Sequence, residues 1–176
     1  MIELRRAVPD DAPTMATVHI AAWRTAYRGL VPNTFLDALD HKQRSEQFRR
    51  FIAGRKADTW IVECDGESIG HLTIGPARDD DLDARITGEI WGIYLLPASW
   101  RHGIGTHVCR KAEALLYQRG FESIVLWVFD GNRRARQFYE TLQYAPDGAT
   151  RSIDVGAELP TIRYRRERTS RRTARS

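Results

Sequence analysis

The spacing of apolar positions changes period several times along this chain, and each change marks an element. Ile2 to Arg6 alternates as a short strand does, and Pro9 ends it. Asp10-Asp11-Ala12-Pro13 reads as a helix opening, with acidic residues and an early proline in the first turn. Met15, Val18, Ala22 and Trp23 then recur at helical spacing to about Tyr27. A second helix is predicted from about Thr34 to Ile52, with Phe35, Leu36, Leu39, Phe48 and Phe51 as its apolar face.

Beyond this point the period shortens to two. Thr59–Cys64 and Ser68–Ile74 read as strands joined at Asp65-Gly66, a hairpin turn signal. A polar, acidic loop follows from Pro76 to Ala84. Thr87 to Leu96 is a third such strand, with Gly92 at its middle, where an interior glycine marks a bulge or a close backbone approach. Helical spacing returns from Gly103 to Arg119, through Ile104, Val108, Ala112, Leu115 and Leu116. Ser123–Phe129 is a continuous apolar strand, Asn132–Leu142 a last helix, and Thr150–Val155 and Thr161–Tyr164 are further strands. The order predicts one α/β domain: a mixed, mostly antiparallel sheet of six to seven strands flanked by about four helices. The strands around the helix at 103–119 should be parallel neighbours.

Charge alters this picture at one end. The net charge is +4, yet Arg163 to Ser176 holds seven Arg and one Glu, which leaves the rest mildly acidic. The expected organisation is therefore a domain at 1–167 and a basic, disordered tail at 168–176. An acidic body argues against specific nucleic-acid binding. The absence of a long apolar run and of an export signal predicts no membrane association and a cytoplasmic location. Cys64 and Cys109 lie outside any CxxC pattern, and the five histidines are scattered, so no metal site is expected.

The segment richest in chemistry is Ile90 to Val108. A strand delivers the chain into Trp100-Arg101-His102-Gly103-Ile104-Gly105-Thr106, where a long helix begins. Glycines let backbone approach a ligand, and the first helical N–H groups lack internal partners. With the helix dipole and Arg101 this makes an anion site suited to a pyrophosphate, although a glycine-rich turn with incidental basic residues has the same sequence. GxxxxGK[ST] is absent, and GxGxxG fails at Val108.

Two motifs in order, around one strand, resemble the GNAT superfamily of N-acetyltransferases. Trp100-Arg-His-Gly103-Ile-Gly105 is similar to that family's Q/R-x-x-G-x-G/A loop, with Trp100 in place of Gln/Arg. Asn132-Arg-Arg-Ala135-Arg-Gln-Phe138-Tyr139-Glu-Thr-Leu142 is similar to its next motif, with Gln143-Tyr144 in place of Gly-Phe. The resemblance implies acetyl-CoA as cosubstrate, with Arg101, His102, Gly103, Ile104, Gly105, Thr106 and Asn132 on its phosphates and arm. It also implies that Ile93, Tyr94 and Leu95 run beside the pantetheine. No metal is implied. Tyr139 is then the expected acid for the leaving thiolate, and Glu89 the expected base acting through water. Glu89 could equally pair with an arginine, and Asn132 could serve as a helix cap. Trp23, Tyr27 and His71 are expected on the acceptor side.

The expected activity is acetyl transfer to a primary amine of a small molecule or peptide, by direct attack. A catalytically silent acyl-CoA-binding sensor or scaffold is the alternative from another class. Homodimers are common in the family resembled, which leaves a homodimer open here. The acidic run Asp79-Asp80-Asp81 with Asp83 reads either as an attractor for a cationic amine or as a solvated loop tip.

Overall fold

A computed structural model describes residues 1–168. Seven strands, β1 (Ile2–Arg6), β2 (Asp58–Cys64), β3 (Glu67–Pro76), β4 (Thr87–Leu95), β5 (Ser123–Phe129), β6 (Ala145–Asp154) and β7 (Glu158–Glu167), form one sheet. Their spatial order is β1-β2-β3-β4-β5-β7-β6. Every neighbouring pair is antiparallel except β4 and β5, which are parallel. The helices are α1 (Ala12–Ala26), α2 (Asn33–Asp37), α3 (His41–Gly54), α4 (Ile104–Gln118) and α5 (Arg133–Thr141). The mixed, mostly antiparallel sheet with flanking helices is the expected fold. Among the described residues no helix is long and apolar enough to cross a membrane.

The sheet has a helix layer on each face. Ile104, Val108, Ala112 and Leu116 step by four along α4 and are all buried against Leu72, Ile74, Ile124 and Leu126. This stripe faces the sheet because residues four apart share one side of a helix. On the other face α1 crosses β3 and β4 and packs against α3. Phe48 and Phe51 of α3 meet His71 and Trp91 there, at ring centroid distances of 5.2 and 5.9 Å.

The β4–β5 ladder is short. It is hydrogen-bonded only from Thr87–Glu89 to Ser123–Val125, and then the strands part. On its other edge β4 carries a bulge: Ile90 pairs with Ile74 and Gly92 with Thr73, leaving Trp91 as the extra residue. A bulge bends and twists its strand. Gly92 is needed because a Cβ there would lie 2.6 Å from the Tyr94 ring.

The structure departs from the sequence reading in two places. The helix expected over 34–52 is two helices, α2 and α3. Asp40 caps α3, its Oδ1 accepting the Gln43 N–H at 2.7 Å. β6 and β7 are longer than the apolar pattern showed, because β6 is exposed along nearly its whole length and is held by pairing with β7. The basic residues up to Glu167 lie in β7, inside the span expected for the domain. Arg163 of β7 is buried and ion-paired with Asp79, Asp81 and Asp147, and Arg166 pairs with Glu113 at 2.7 Å. The Arg168 N–H donates to the Glu122 carbonyl. The rest of the expected tail, residues 169–176, lies outside the described residues.

Arg163→Ala would leave Asp147 partly buried without its cation and Asp79 with Arg151 alone. Removing one partner of a buried ion pair costs about 3 kcal/mol or more. Urea unfolding should show a loss of that order. A loss below about 0.5 kcal/mol, the level of an ordinary surface change, would mean that the network contributes little.

Candidate active site

Where β4 and β5 part, a cavity of about 640 Å³ opens. Ile90 to Leu95 form one wall and Leu126 to Val128 the other. Trp23 and Tyr27 of α1 close one side, and the loop from Trp100 to Thr106 closes the opposite side with Asn132, Arg134, Phe138 and Tyr139. From Ile90 onward the β5-facing edge of β4 has no strand partner. Its N–H and C=O groups therefore need partners from elsewhere.

The N-terminus of α4 points into this space without a cap. Gly103, the N-cap residue, adopts a left-handed φ of 76°, and no side chain caps the helix. Among the described residues none accepts a hydrogen bond from the amides of Gly103 to Thr106. The contrast with α5 is direct, because there the Asn132 Oδ1 accepts the Ala135 N–H at 3.1 Å. A Cβ on Gly103 would meet nothing within 4 Å, so the space above the turn is open. Arg101 is exposed beside it. The Arg134 guanidinium lies 4.3 Å from the centroid of the Trp100 ring, which is held by its Nε1–H donating to the Leu95 carbonyl at 2.9 Å. Neither arginine has an acidic partner among the described residues. Free amides, a helix dipole and two unpaired guanidiniums make an anion-binding surface.

Three phenols, Tyr27, Tyr94 and Tyr139, line the cavity. No hydrogen bond engages the Tyr139 hydroxyl among the described residues. Burial raises its pKa well above the ordinary value, with Cys109, Tyr27 and Tyr94 adding to the effect. Burial also raises Tyr27, partly offset by the neighbouring Asn132 side chain, and it raises Tyr94. All three stay protonated at neutral pH and can donate hydrogen bonds to a developing anion.

The residues expected from sequence divide between the cavity and its surroundings. Trp23, Tyr27, Ile93, Tyr94, Leu95, Arg101, Gly103, Gly105, Thr106, Asn132 and Tyr139 line it. The Ile104 side chain is turned into the core and His102 is exposed, and neither residue is part of the lining. His71 is buried behind Tyr94, at a ring distance of 5.0 Å. Glu89 is also buried and off the lining. Both its oxygens accept from Arg78, whose backbone N–H adds a hydrogen bond at 3.0 Å. Of the two readings of Glu89, the arginine pair is the one seen. The acidic loop is tied down too: Asp79 accepts from Trp127 Nε1 and pairs with Arg151 and Arg163.

Sequence reasoning missed Trp91, Trp127 and Arg134 as lining residues. Arg134 had a signal, since it stands four before Phe138 on the cavity side of α5. Trp91 and Trp127 had none, because which face a bulged or diverging strand presents depends on its partners.

Comparison with known proteins agrees with this geometry. A model of the acetyltransferase (GNAT) family matches residues 20–144. The chain is 30% identical over 134 residues to the uncharacterised N-acetyltransferase YuaI of Bacillus subtilis, covering 75% of this chain and 74% of that one. It is 29% identical over 170 residues to a probable N-acetyltransferase of Mycobacterium tuberculosis, covering 93% and 92%. Among solved structures, PaiA N-acetyltransferase of Thermoplasma acidophilum in complex with coenzyme A is similar in fold. Its TM-score is 0.74 at 18% identity, covering 96% of this chain and 99% of that chain. YncA of Salmonella typhimurium, solved with acetyl-CoA, has a TM-score of 0.68 at 16% identity, covering 95% and 94%.

The wall behind Tyr94 has a measurable titration. His19 and His71 are buried and stacked, and burial lowers both pKa values to about 3; the Arg44 charge adds to the effect at His19. Unfolded histidines take up protons near pH 6.5. Stability should therefore fall as pH drops from about 6.5 towards 3, since the unfolded state binds more protons across that window. Replacing both by Asn should flatten that part of the pH–stability curve. An unchanged slope would show that carboxylates alone set it.

Proposed function

The chain belongs to the acetyltransferase (GNAT) family, and from that premise we propose that it moves an acetyl group from acetyl-CoA to a primary amine of a small molecule or peptide. One observation carries this reading: the uncapped end of α4, the unpaired edge of β4 and the Tyr139 hydroxyl meet in a single cavity. The residues present suit the cosubstrate. The amides of Gly103 to Thr106 would take its pyrophosphate, with Arg101 and Arg134 adding charge. The free β4 edge at Ile93 to Leu95 would pair with the amides of the pantetheine arm. Acetyl-CoA supplies an activated acetyl group as a thioester.

The chain's own groups then act on protons and position. Alkylamines are protonated at neutral pH, so the amine must lose a proton before attack. The reading assigns that proton to Glu89 through water, with Arg78 holding the carboxylate in place. Tyr139 donates its hydroxyl hydrogen to the departing sulfur. Asn132 fixes the start of α5 and so the position of Tyr139 two turns later. The reading takes residues 1–167 as the catalytic domain and assigns no catalytic part to the basic segment 168–176.

Two conservative substitutions test these roles, read as acetyl-CoA-dependent thiol release in the presence of a primary amine. Tyr139→Phe keeps the ring and should lower kcat by on the order of 10²-fold, with CoA affinity little changed. Equal turnover in Tyr139→Phe and the parent, with chemistry rate-limiting, would remove Tyr139 from the mechanism. Glu89→Gln keeps the shape and one hydrogen-bonding oxygen for Arg78. A comparable fall in kcat with unaltered melting temperature supports the base assignment. Unchanged kcat would leave Glu89 as the structural partner of Arg78.

A further inference from the structure

The α1 side of the cavity is a wall of rings. Trp23 and Tyr27 come from α1, Trp91 and Tyr94 from β4, and Trp127 from β5. Their positions are set by further packing. Trp23 and Tyr27 lie edge to face at 4.8 Å, and Phe129 stands against both at 6.1 and 5.1 Å. Rings wedged in this way present a fixed apolar slot with little rotamer freedom left to lose.

The charge around the slot is one-sided. Arg101 and Arg134 are the charged residues that line the cavity, and both sit at its α4–α5 end. No Asp or Glu lines it among the described residues, and residues 169–176 contain neither type. The acids nearby are already engaged: Glu89 by Arg78, Asp79 by Arg151 and Arg163, and Asp81 by Arg163. Two of the tryptophans also carry cations. The Arg78 guanidinium lies 4.1 Å from the Trp91 ring centroid, and that of Arg151 lies 4.0 Å from Trp127. The attraction of those rings for a cation is thus satisfied from within the protein. A substrate with a second ammonium would be desolvated here with no carboxylate among the lining residues to pair with it. An aromatic body would instead gain buried area and edge-to-face contacts.

We propose that the acceptor is a monoamine carried on an aromatic ring, and not a polycation. This rests on the reading of the cavity as the place of acetyl transfer. The slot takes the ring, and a short linker carries the amine to where β4 and β5 part.

The test compares kcat/KM for 2-phenylethylamine, tryptamine, n-hexylamine, spermidine and kanamycin with acetyl-CoA, following thiol release. The two aryl amines should exceed n-hexylamine by about tenfold, the scale of one aromatic contact, and spermidine and kanamycin should fall below it. Trp23→Ala should abolish the preference for aryl over alkyl amines while calorimetric CoA affinity stays within about twofold. Trp91→Leu serves the same purpose if Trp23→Ala does not fold. A preference for spermidine or kanamycin, or equal values for aryl and alkyl amines, would overturn this proposal and leave the acetyl-transfer reading standing. No thiol release with any amine, in protein shown to bind acetyl-CoA, would overturn that reading and this proposal with it.

Discussion

The constraint on which the rest depends is the brevity of the β4–β5 pairing, three residues on each strand. Two parallel strands that separate after so short a ladder leave a wedge open at their C-terminal ends. The chain leaves β4 there to start α4, and leaves β5 there to start α5. Two helix N-termini are thereby brought to one place, as happens wherever parallel strands diverge in an α/β sheet. The bulge at Trp91 is the local cause on the β4 side: it adds a residue to one strand and turns it away from its neighbour. Cavity, free strand edge and helix ends all arise from that single failure to pair.

The two helix ends are treated differently. α5 is capped by Asn132, while α4 begins at a left-handed glycine with its amides open. Uncapped amides facing a cavity lose stability that a side-chain cap would provide, by about 1 kcal/mol. Such a loss is tolerable in a domain whose α4 stripe is as thoroughly buried as Ile104, Val108, Ala112 and Leu116. Away from the open end of α4 the charges are closed into pairs: Glu89 with Arg78, and Arg163 with three aspartates. Anion-seeking groups are left open in one place, and ion pairs are satisfied in the other.

Much of this was legible in the sequence wherever the signal was local. The α4 stripe repeats every four residues, and the Asp65-Gly66 hairpin needs only two residues with positive φ. The helix start at Gly103 carries a glycine that its φ requires. Seven-residue spacing brought Asn132 and Tyr139 to one cavity wall. The unread parts are those decided at long range. β6 has no apolar alternation because it is exposed, and only its register against β7 makes it a strand. The ion pairs of Arg163 were unreadable because its three acids lie 16 to 84 residues away. Glu89 and Arg78 come together across the β3–β4 connection, which sequence spacing does not measure. Asp40 was a readable cap that the apolar periodicity on either side of it concealed.

The two sides of the wedge draw on partly different stretches of chain. The groups at the open end of α4 come from residues 93–139, whereas the ring wall adds Trp23, Tyr27 and Trp91 from earlier in the chain to Tyr94 and Trp127 from that stretch. Substitutions at Trp23, Tyr27 or Phe51 therefore touch no group that α4 offers. Changes at Trp23 or Trp91 would reshape the ring wall and leave the open amides of α4 in place, whereas a change at Tyr27 would also reach Asn132 and Tyr139. Two chains alike over residues 100–106 and 132–139 can therefore still differ in the shape of the ring wall, which Trp23, Tyr27, Trp91, Tyr94 and Trp127 set here.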